Sequence, residues 1–259
     1  MSNSFNEERK EYFEFHKKRY EYCVQKVENT LSEGDSVMDL GSKYLHQSSI
    51  LSEKGFEMYA YDIPEIVGKK EVQKLADEKD IKLRATGNLA KGELAQKEGK
   101  NTYDAILVTE VLEHLAFNPL IMWKSIFRVL KPKSHIFIST PNSLSLNRRV
   151  VTLARVLAGV GVGVSVSGVM GTPTYGHHWK EYSIKEVYRY FEILNIPKKD
   201  INISTYEYRP YKKEKKIRYK LENVMRKLGN KTYNMADEIF AVIRVPSPKP
   251  PVPSSEKYI

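Results

Sequence analysis

Two carboxylates and an imidazole stand close together in the middle of the chain, directly after an apolar run. Segment 105–120 reads AILVTEVLEHLAFNPL, so four apolar residues lead to Glu110, Glu113 and His114. If a helix begins at Glu110, the three side chains share one face, because residues three and four apart are neighbours on a helix. Crowded carboxylates are costly unless one is protonated or a cation lies between them.

Three roles are compatible with this pattern. Two carboxylates and a histidine can bind Mg²⁺, Mn²⁺ or Zn²⁺. Without a metal, His114 can act as a general base that Glu113 orients, while Glu110 lies towards a cofactor. Acidic residues are also favoured in the first turn of a helix for structural reasons alone. The residue types alone leave all three roles open.

Short apolar runs alternate with helical patterns over the first 142 residues. This alternation predicts βαβ units and therefore a doubly wound, mostly parallel sheet. Ligands of such sheets bind beyond the carboxyl ends of the strands, which is where the two carboxylates and the imidazole fall. We expect strands at 36–41, 56–63, 81–88, 103–108 and 135–142, and helices at 6–31, 47–55, 65–79 and 120–131.

Polar residues follow the other strands as well. Asp62 ends the second strand, where an acid can accept hydrogen bonds from both hydroxyls of a ribose. Asn88 follows the third strand, where its amide can meet an adenine edge. The residues at the four strand ends are Asp39 and Gly41, Asp62, Gly87 and Asn88, and Thr109 and Glu110.

The pattern changes after Asn142. Segment 148–182 begins with Arg148 and Arg149, continues through an apolar stretch rich in Gly and Ser, and contains GHHWKE. This acceptor-side insertion can act as a lid, lie on a membrane surface or pack on the sheet. A helix capped by Ser183, a strand at 201–208, a basic helix at 211–231 and a last strand at 238–245 follow. The proline-rich tail 246–259 has nothing to bury, so we expect it to be extended or disordered.

Six motifs in order resemble those of class I S-adenosylmethionine-dependent methyltransferases: VMDLGS, YAYDI, TGN, YDAILVTEVLEHL, RVLKPKSHIFISTPN and GHHWKEYSIKEV. The resemblance implies one α/β domain over 1–245 with a doubly wound, Rossmann-like sheet of seven strands, the last antiparallel. It places a helical insertion before strand six and the basic helix between strands six and seven. It also implies S-adenosylmethionine as cofactor. The implied cofactor residues are Asp39, Gly41, Ser42, Lys43, Asp62, Ile63, Asn88, Leu89, Thr109 and Glu110.

The first loop departs from the family pattern. The family usually reads D-x-G-x-G-x-G, whereas this chain reads DLGSKYL, so Lys43 and Leu45 occupy two of the three glycine positions. Glycine lets the backbone turn tightly and approach a cofactor. The change is compatible with weak cofactor binding, a rearranged loop or a domain that has lost the cofactor. Lys43 would also bring a cation close to the methionine moiety or an incoming anionic group.

The E-x-x-E-H element is similar to that of small-RNA 3′-terminal 2′-O-methyltransferases and of quinone-pathway O-methyltransferases. In the RNA enzymes a later histidine completes the pattern, and by that resemblance His178 is a better match than His177. The metal is thought to grip a vicinal diol or catechol. The resemblance therefore implies Mg²⁺ or Mn²⁺ held by Glu110, Glu113, His114 and His178. It makes Glu113, His114 and His178 the candidate catalytic residues.

The net charge of +10 is concentrated in one segment. Residues 211–231 hold nine Lys or Arg against two Glu, a net of +7. This suits an anionic partner such as phosphate, nucleic acid or an acidic membrane face, or it marks a solvated helix surface. With one cysteine, Cys23, and a charged N-terminus, we expect a cytoplasmic protein, with a peripheral position at a membrane as an alternative.

The most favoured function is methyl transfer to a hydroxyl of a sugar, on a glycan or a lipid-linked acceptor, as in glycan and polysaccharide biosynthesis. This acceptor follows from the resemblance alone. An RNA-end 2′-O-methyltransferase is the alternative that gives the basic helix a phosphate-binding role. A non-catalytic relative that acts as a partner protein is the third hypothesis, and it rests on the altered loop.

Overall fold

Seven strands form one mixed sheet in the order β3-β2-β1-β4-β5-β7-β6 in the computed structural model, which describes residues 2–86, 88–159, 161, 163, 166–171, 176–211, 216–232 and 234–253. The first five strands in this order run parallel, and β7 is antiparallel to both β5 and β6. The predicted sheet, with its antiparallel last strand, is confirmed. The strands are β1 Ser36–Leu40, β2 Glu57–Asp62, β3 Lys82–Ala85, β4 Tyr103–Thr109, β5 Leu130–Pro141, β6 Ile201–Tyr206 and β7 Glu238–Arg244.

Ten helices accompany the sheet in the described part of the chain. They are α1 Ser2–Glu28, α2 His46–Glu53, α3 Pro64–Val67, α4 Lys70–Glu78, α5 Glu93–Lys97, α6 Leu120–Val129, α7 Leu146–Leu157, α8 Val166–Gly171, α9 Ile184–Ile193 and α10 Ile217–Lys231. Ser183 caps α9 in a reciprocal pair with Glu186, as predicted. The predicted helix 65–79 is interrupted after Val67 and becomes α3 and α4.

Two buried apolar clusters cover the two faces of the sheet. One contains Trp123 of α6 and Phe191 of α9, and the other contains Val27 of α1 and Leu51 of α2. The strand β1 lies between them and is buried along its whole length. A strand covered on both faces lacks the alternation of apolar and polar residues that a half-exposed strand shows. This explains the apolar pair Val37 and Met38, after which the polar Asp39 stands near the carboxyl end of the strand.

The chain around Glu110 differs from the expected helix. Glu110 has a left-handed backbone with φ 55°, and only the short 3₁₀ turn Leu112–His114 follows it. The expectation that a helix begins at Glu110 is therefore wrong. Likewise, the helix predicted to extend to residue 131 ends at Val129, and β5 begins at once at Leu130.

The C-terminal tail is docked along part of its length, contrary to the expectation that it has nothing to bury. Lys249 Nζ donates to Leu130 O at 2.8 Å, and Asn195 Nδ2 donates to Pro251 O at 2.7 Å. Val252 packs against the apolar cluster that contains Trp123. The statement that the tail has nothing to bury is therefore wrong as far as Val252, whereas its extended conformation stays a prediction; residues 254–259 lie outside the described part.

The insertion 148–182 contains most of α7 and all of α8. Residues 160, 162, 164–165 and 172–175 of this segment lie outside the described part of the chain. Its role as a lid remains a prediction. Among the described residues no helix is both long and apolar enough to cross a bilayer.

Candidate active site

A cavity of about 670 Å³ lies at the carboxyl ends of β1, β2 and β4. Parallel α/β sheets bind ligands at this edge, and the volume is in the range of small-molecule sites. Of the thirteen residues predicted for the site, the structure brings twelve into the cavity wall and leaves Asn88 out. The twelve are Asp39, Gly41, Ser42, Lys43, Asp62, Ile63, Leu89, Thr109, Glu110, Glu113, His114 and His178.

Asn88 has a local structural role instead. Its side-chain oxygen accepts a hydrogen bond from Lys91 N at 3.1 Å and caps the 3₁₀ helix Leu89–Lys91. The amide is therefore not presented to the cavity, which Thr86 and Leu89 line on this side. Gly87, also named at this strand end, lies outside the described residues.

The first loop keeps a glycine-like backbone without its glycines. Gly41 has φ 84°, and a Cβ at this position would lie 2.8 Å from Val111 Cγ2. Lys43 and Leu45, at the other two glycine positions, also have left-handed backbones, with φ 44° and 59°. A left-handed conformation is less favourable by about 1–2 kcal/mol for a residue with a side chain. Burying the Leu45 side chain, which is fully enclosed, contributes about 1.5–3 kcal/mol and offsets that cost.

Two carboxylates beside this loop are held by hydrogen bonds. Asp62 Oδ2 accepts from Lys43 N at 2.6 Å and Oδ1 accepts from Ile63 N at 2.7 Å. Burial raises the pKa of Asp62, and these two backbone donors counteract the rise. Asp39 Oδ2 accepts from Ser48 Oγ at 2.6 Å, and burial raises the pKa of Asp39 to about 6. A carboxylate that accepts one or two hydrogen bonds, as these do, still has lone pairs that can accept bonds from the hydroxyls of a ligand.

Helix α1 forms a wall of the cavity that the sequence interpretation did not identify. Tyr12, His16, Arg19 and Tyr20 all line it. Lys43 Nζ lies 4.1 Å from the centre of the Tyr12 ring, so the loop and the helix are in contact. The spacing of these four residues places them on one helical face, and in the sequence this shared face was the feature that could have identified them.

Arg19 neutralises Glu110 in a buried pair. Arg19 Nη2 lies 3.0 Å from Glu110 Oε2, and the side chains are 6% and 18% exposed. The same Nη2 donates to Tyr208 Oη at 2.5 Å. Burial by itself raises the pKa of Glu110, but the Arg19 guanidinium and the hydroxyl of Ser139 bring it down to about 2. Glu238 is fully buried beside Glu110, and burial together with that charge raises its pKa well above the ordinary value.

Glu113, His114 and His178 form a separate group. One ligand atom of each lies within 4.8 Å of the others. Glu113 is fully buried, and its Oε2 accepts from Thr140 Oγ1 at 3.1 Å, whereas Oε1 has no hydrogen-bond partner. Burial and the nearby Glu110 charge raise the pKa of Glu113 well above its usual range. Glu110 is not a member of this group, because its carboxylate is held by Arg19 and Ser139; its assignment as a metal ligand is corrected accordingly.

The two histidines of the group share one tautomer. His114 Nδ1 lies 3.0 Å from the backbone oxygen of His177, and His178 Nδ1 lies 3.0 Å from Glu181 Oε1. A carbonyl and a carboxylate only accept hydrogen bonds, so each Nδ1 carries a hydrogen, and Nε2 is the nitrogen of each ring that a ligand can meet. Burial and the neighbouring His178 lower the pKa of His114, which keeps its ring neutral. His177 itself is buried and lies outside the group.

The family described as "Methyltransferase domain" matches residues 12–192 of the chain. A stretch of 169 residues is 29% identical to the ubiquinone biosynthesis O-methyltransferase of Caulobacter vibrioides, and it covers 61% of this chain. The same match spans 58% of that protein, so the chain corresponds to less than two thirds of the length of this relative.

Solved structures of low sequence identity share the fold. A SAM-dependent methyltransferase from Thermotoga maritima superposes with a TM-score of 0.57 at 11% identity, covering 93% of this chain and 96% of the other. A Haloferax volcanii complex of the Trm112 methyltransferase activator with a methyltransferase gives a TM-score of 0.60 at 14% identity, covering 92% and 94%. At these identities the similarity supports the fold and not the acceptor.

Proposed function

Because this chain belongs to the methyltransferase-domain family, we propose that it transfers a methyl group from S-adenosylmethionine to a hydroxyl oxygen held beside Glu113, His114 and His178. The observation that supports this most strongly is the pair of histidines, each fixed through Nδ1, next to a buried carboxylate oxygen without a partner.

The residues of the cavity fit S-adenosylmethionine. Gly41, Lys43 and Leu45 all have left-handed backbones, the conformation that lets a loop of this kind approach a ligand closely. Lys43 and Leu45 keep this conformation although it is strained for them, and retained backbone strain is typical of ligand-binding sites. Asp62 is oriented by two backbone donors and has acceptor capacity left for ribose hydroxyls. Ile63 and Leu89 offer apolar walls. When bound, the cofactor supplies the electrophilic methyl group. The retained loop shape also argues against the non-catalytic hypothesis.

A divalent cation is the proposed third component, held by Glu113, His114 and His178. Metal-binding histidines usually donate the second ring N–H to a carbonyl or a carboxylate, and both histidines here do so. The cation would lower the pKa of the acceptor hydroxyl and orient it. With one carboxylate and two imidazoles, the donor set suits Mn²⁺ or Zn²⁺ as well as Mg²⁺.

The acceptor that such a site would favour carries adjacent hydroxyls, because two oxygens can then share the cation. We propose a sugar of a glycan or of a lipid-linked intermediate. The Caulobacter vibrioides relative is named an O-methyltransferase, which supports oxygen as the methylated atom. An RNA 3′-end also has adjacent hydroxyls, and it is retained as an acceptor to be tested.

The proposal is tested with radiolabelled S-adenosylmethionine and three soluble acceptors: a catechol, a methyl glycoside with vicinal hydroxyls and a short RNA with a free 3′-diol. We expect O-methylation of a diol, its loss after treatment with a chelator and its recovery with Mn²⁺ or Mg²⁺. Glu113→Gln and His178→Asn should abolish recovery. His135→Asn, a half-buried histidine of β5 outside the cavity, is the matched control.

Each outcome separates one part of the proposal. If the chelator leaves the rate unchanged while His114→Asn abolishes it, acid–base catalysis replaces the metal. If the label enters an amine but no hydroxyl, the oxygen acceptor is wrong. Calorimetry with S-adenosylhomocysteine reports cofactor binding independently of the acceptor.

A further inference from the structure

Exposed aliphatic side chains are concentrated on two helices. Of the fifteen exposed large apolar side chains among the described residues, nine belong to α7 and α10. Single exposed apolar residues are ordinary, but a concentration of this kind marks an interaction surface. The nine are Val150, Val151, Leu153, Val156, Leu157, Ile217, Leu221, Val224 and Leu228.

On α10 these side chains form one continuous stripe. Ile217, Leu221, Val224 and Leu228 follow the spacing of one helical face, and they are 75%, 58%, 52% and 52% exposed. At about 100° per residue they lie within a narrow sector of the helix. The helix therefore presents its apolar face to solvent, the reverse of the usual arrangement of a surface helix.

The opposite face of α10 is anchored to the protein. Arg226 is buried, and its Nη2 lies 2.5 Å from Glu207 Oε1, while its Nε lies 3.3 Å from Asp237 Oδ2. Gly229 is also buried, and an added Cβ there would lie 2.5 Å from Met235 O and 3.4 Å from Leu146 Cβ at the start of α7. The anchoring fixes the outward orientation of the stripe and brings α7 and α10 into contact.

Lysines border the apolar stripe. Lys220, Lys227 and Lys231 are exposed and, at about 100° per residue, lie along one side of it. A second copy of this chain is a poor occupant, because its net charge of +10 would meet the same lysine row. The stripe itself is aliphatic, whereas single-stranded nucleic acid is usually bound by stacking on aromatic rings. An aliphatic stripe with a cationic border suits anionic lipid headgroups above acyl chains.

We propose that the exposed face of α7 and α10 docks on the anionic surface of a phospholipid bilayer. The apolar stripe enters the boundary between headgroups and acyl chains, and the lysine row binds the phosphates. The surface is linked to the candidate site, because Arg148 of α7 forms an ion pair with Glu181, which accepts the hydrogen bond of His178. Delivery of a lipid-borne acceptor to that site rests on the proposed function, whereas bilayer binding does not.

The test is flotation of the full chain, without cofactor, with vesicles of phosphatidylcholine alone or mixed with phosphatidylglycerol. Near an anionic surface each lysine contributes about 1 kcal/mol, equivalent to roughly 5-fold, so the triple variant K220Q/K227Q/K231Q should lower partitioning on the order of 100-fold. The variant L221S/V224S/L228S should also lose binding. Two control variants should retain binding to the anionic vesicles. K70Q/K124Q/K185Q removes the same charge from exposed positions on α4, α6 and α9, and I121S removes an exposed apolar residue of α6.

Four results would overturn the proposal. They are equal binding to the two kinds of vesicle, no binding to either, unchanged binding of K220Q/K227Q/K231Q and L221S/V224S/L228S, or sedimentation of the chain as a dimer that L221S/V224S/L228S dissociates. Circular dichroism of each variant separates loss of binding from loss of fold. Methyl transfer to a soluble diol, measured in parallel, fails only if the proposed function fails, because none of these residues lines the cavity.

Discussion

Removing Arg19 is expected to destabilise the protein strongly at neutral pH and much less in acid. The substitution Arg19→Met keeps most of the side-chain length but leaves Glu110 without its cation. The charge of Arg19 also acts on Glu238, so one guanidinium serves more than one buried carboxyl group. Breaking a buried ion pair from one side costs about 3–5 kcal/mol, because the remaining charge stays desolvated.

The lowered pKa of Glu110 shows how much its environment, with Arg19 as the main cation, favours the carboxylate. Its value falls from 4.5 to about 2 in the folded protein. At about 1.4 kcal/mol per pH unit, that difference corresponds to roughly 3 kcal/mol of stability at neutral pH. Both figures require that the pair is largely excluded from water, as its exposures of 6% and 18% indicate.

The pH dependence follows from the direction of each shift. In the native protein the folded pKa of Glu110 is lowered, so its contribution is complete above pH 4.5 and is lost as the pH falls towards 2. In Arg19→Met, burial without a cation raises the folded pKa above the unfolded value. The variant therefore loses stability as the pH rises through 4.5 and regains it in acid. The gap between the two proteins should be widest near pH 7.5 and should narrow by pH 5.

Urea unfolding followed by circular dichroism at the two pH values measures the gap. Arg189→Met is the matched control, because Arg189 lies 3.9 Å from Glu192 with 69% of its side chain exposed; an exposed pair contributes about 0–1 kcal/mol. The double variant Arg19→Met/Glu110→Gln should recover part of the loss. A deficit below about 1 kcal/mol, or one that does not change with pH, would show that Arg19 and Glu110 are not a desolvated pair.

Three further outcomes are expected. Ser183→Ala removes the reciprocal cap of α9 and should lower the free energy of unfolding by about 1 kcal/mol, measured by urea titration against Ser143→Ala, which no helix cap uses. Gly41→Ala places a Cβ 2.8 Å from Val111 Cγ2 at a left-handed position, so affinity for S-adenosylhomocysteine should fall about 10-fold or more by calorimetry; unchanged affinity would show that the loop relaxes freely. Lys249→Ala should cost about 1 kcal/mol through its lost bonds to Leu130 O and Asn101 Oδ1, whereas an effect near zero would mean that the tail does not dock in solution.

Most of the sheet was predictable from the sequence because its strands are apolar and are separated by helical patterns. The apolar run before Glu110 and the acid Asp62 at the end of β2 both lie where the alternation places them. All of the candidate residues in the cavity wall except His178 lie at the end of β1, β2, β3 or β4 or follow it, and they meet because the carboxyl ends of parallel strands share an edge. Local pattern was sufficient wherever the position followed from strand order alone.

The predictions from sequence were wrong where distant parts of the chain decide the conformation, or where one residue type has two possible roles. Glu110 was expected to begin a helix, but its left-handed backbone accompanies a pair with Arg19, which lies 91 residues earlier. Asn88 was assigned to a ligand, but an amide after a strand caps a following turn equally well. The docking of Val252 depends on an apolar cluster built from other elements. The contacts of Glu110 and Val252 have no local signature, whereas the Asn88 cap is local and is the alternative role that the same residue type allows.

The loop from Gly41 to Leu45 has a consequence for the thermodynamics of ligand binding. A glycine-rich loop samples many conformations when it is free, and ordering it on a ligand costs entropy. With lysine and leucine at two of those positions, the free loop has fewer conformations to lose, and the enclosed Leu45 side chain restricts it further. Part of the conformational entropy of the loop is therefore lost when the protein folds and not when the ligand binds, so the loop is preorganised for the ligand.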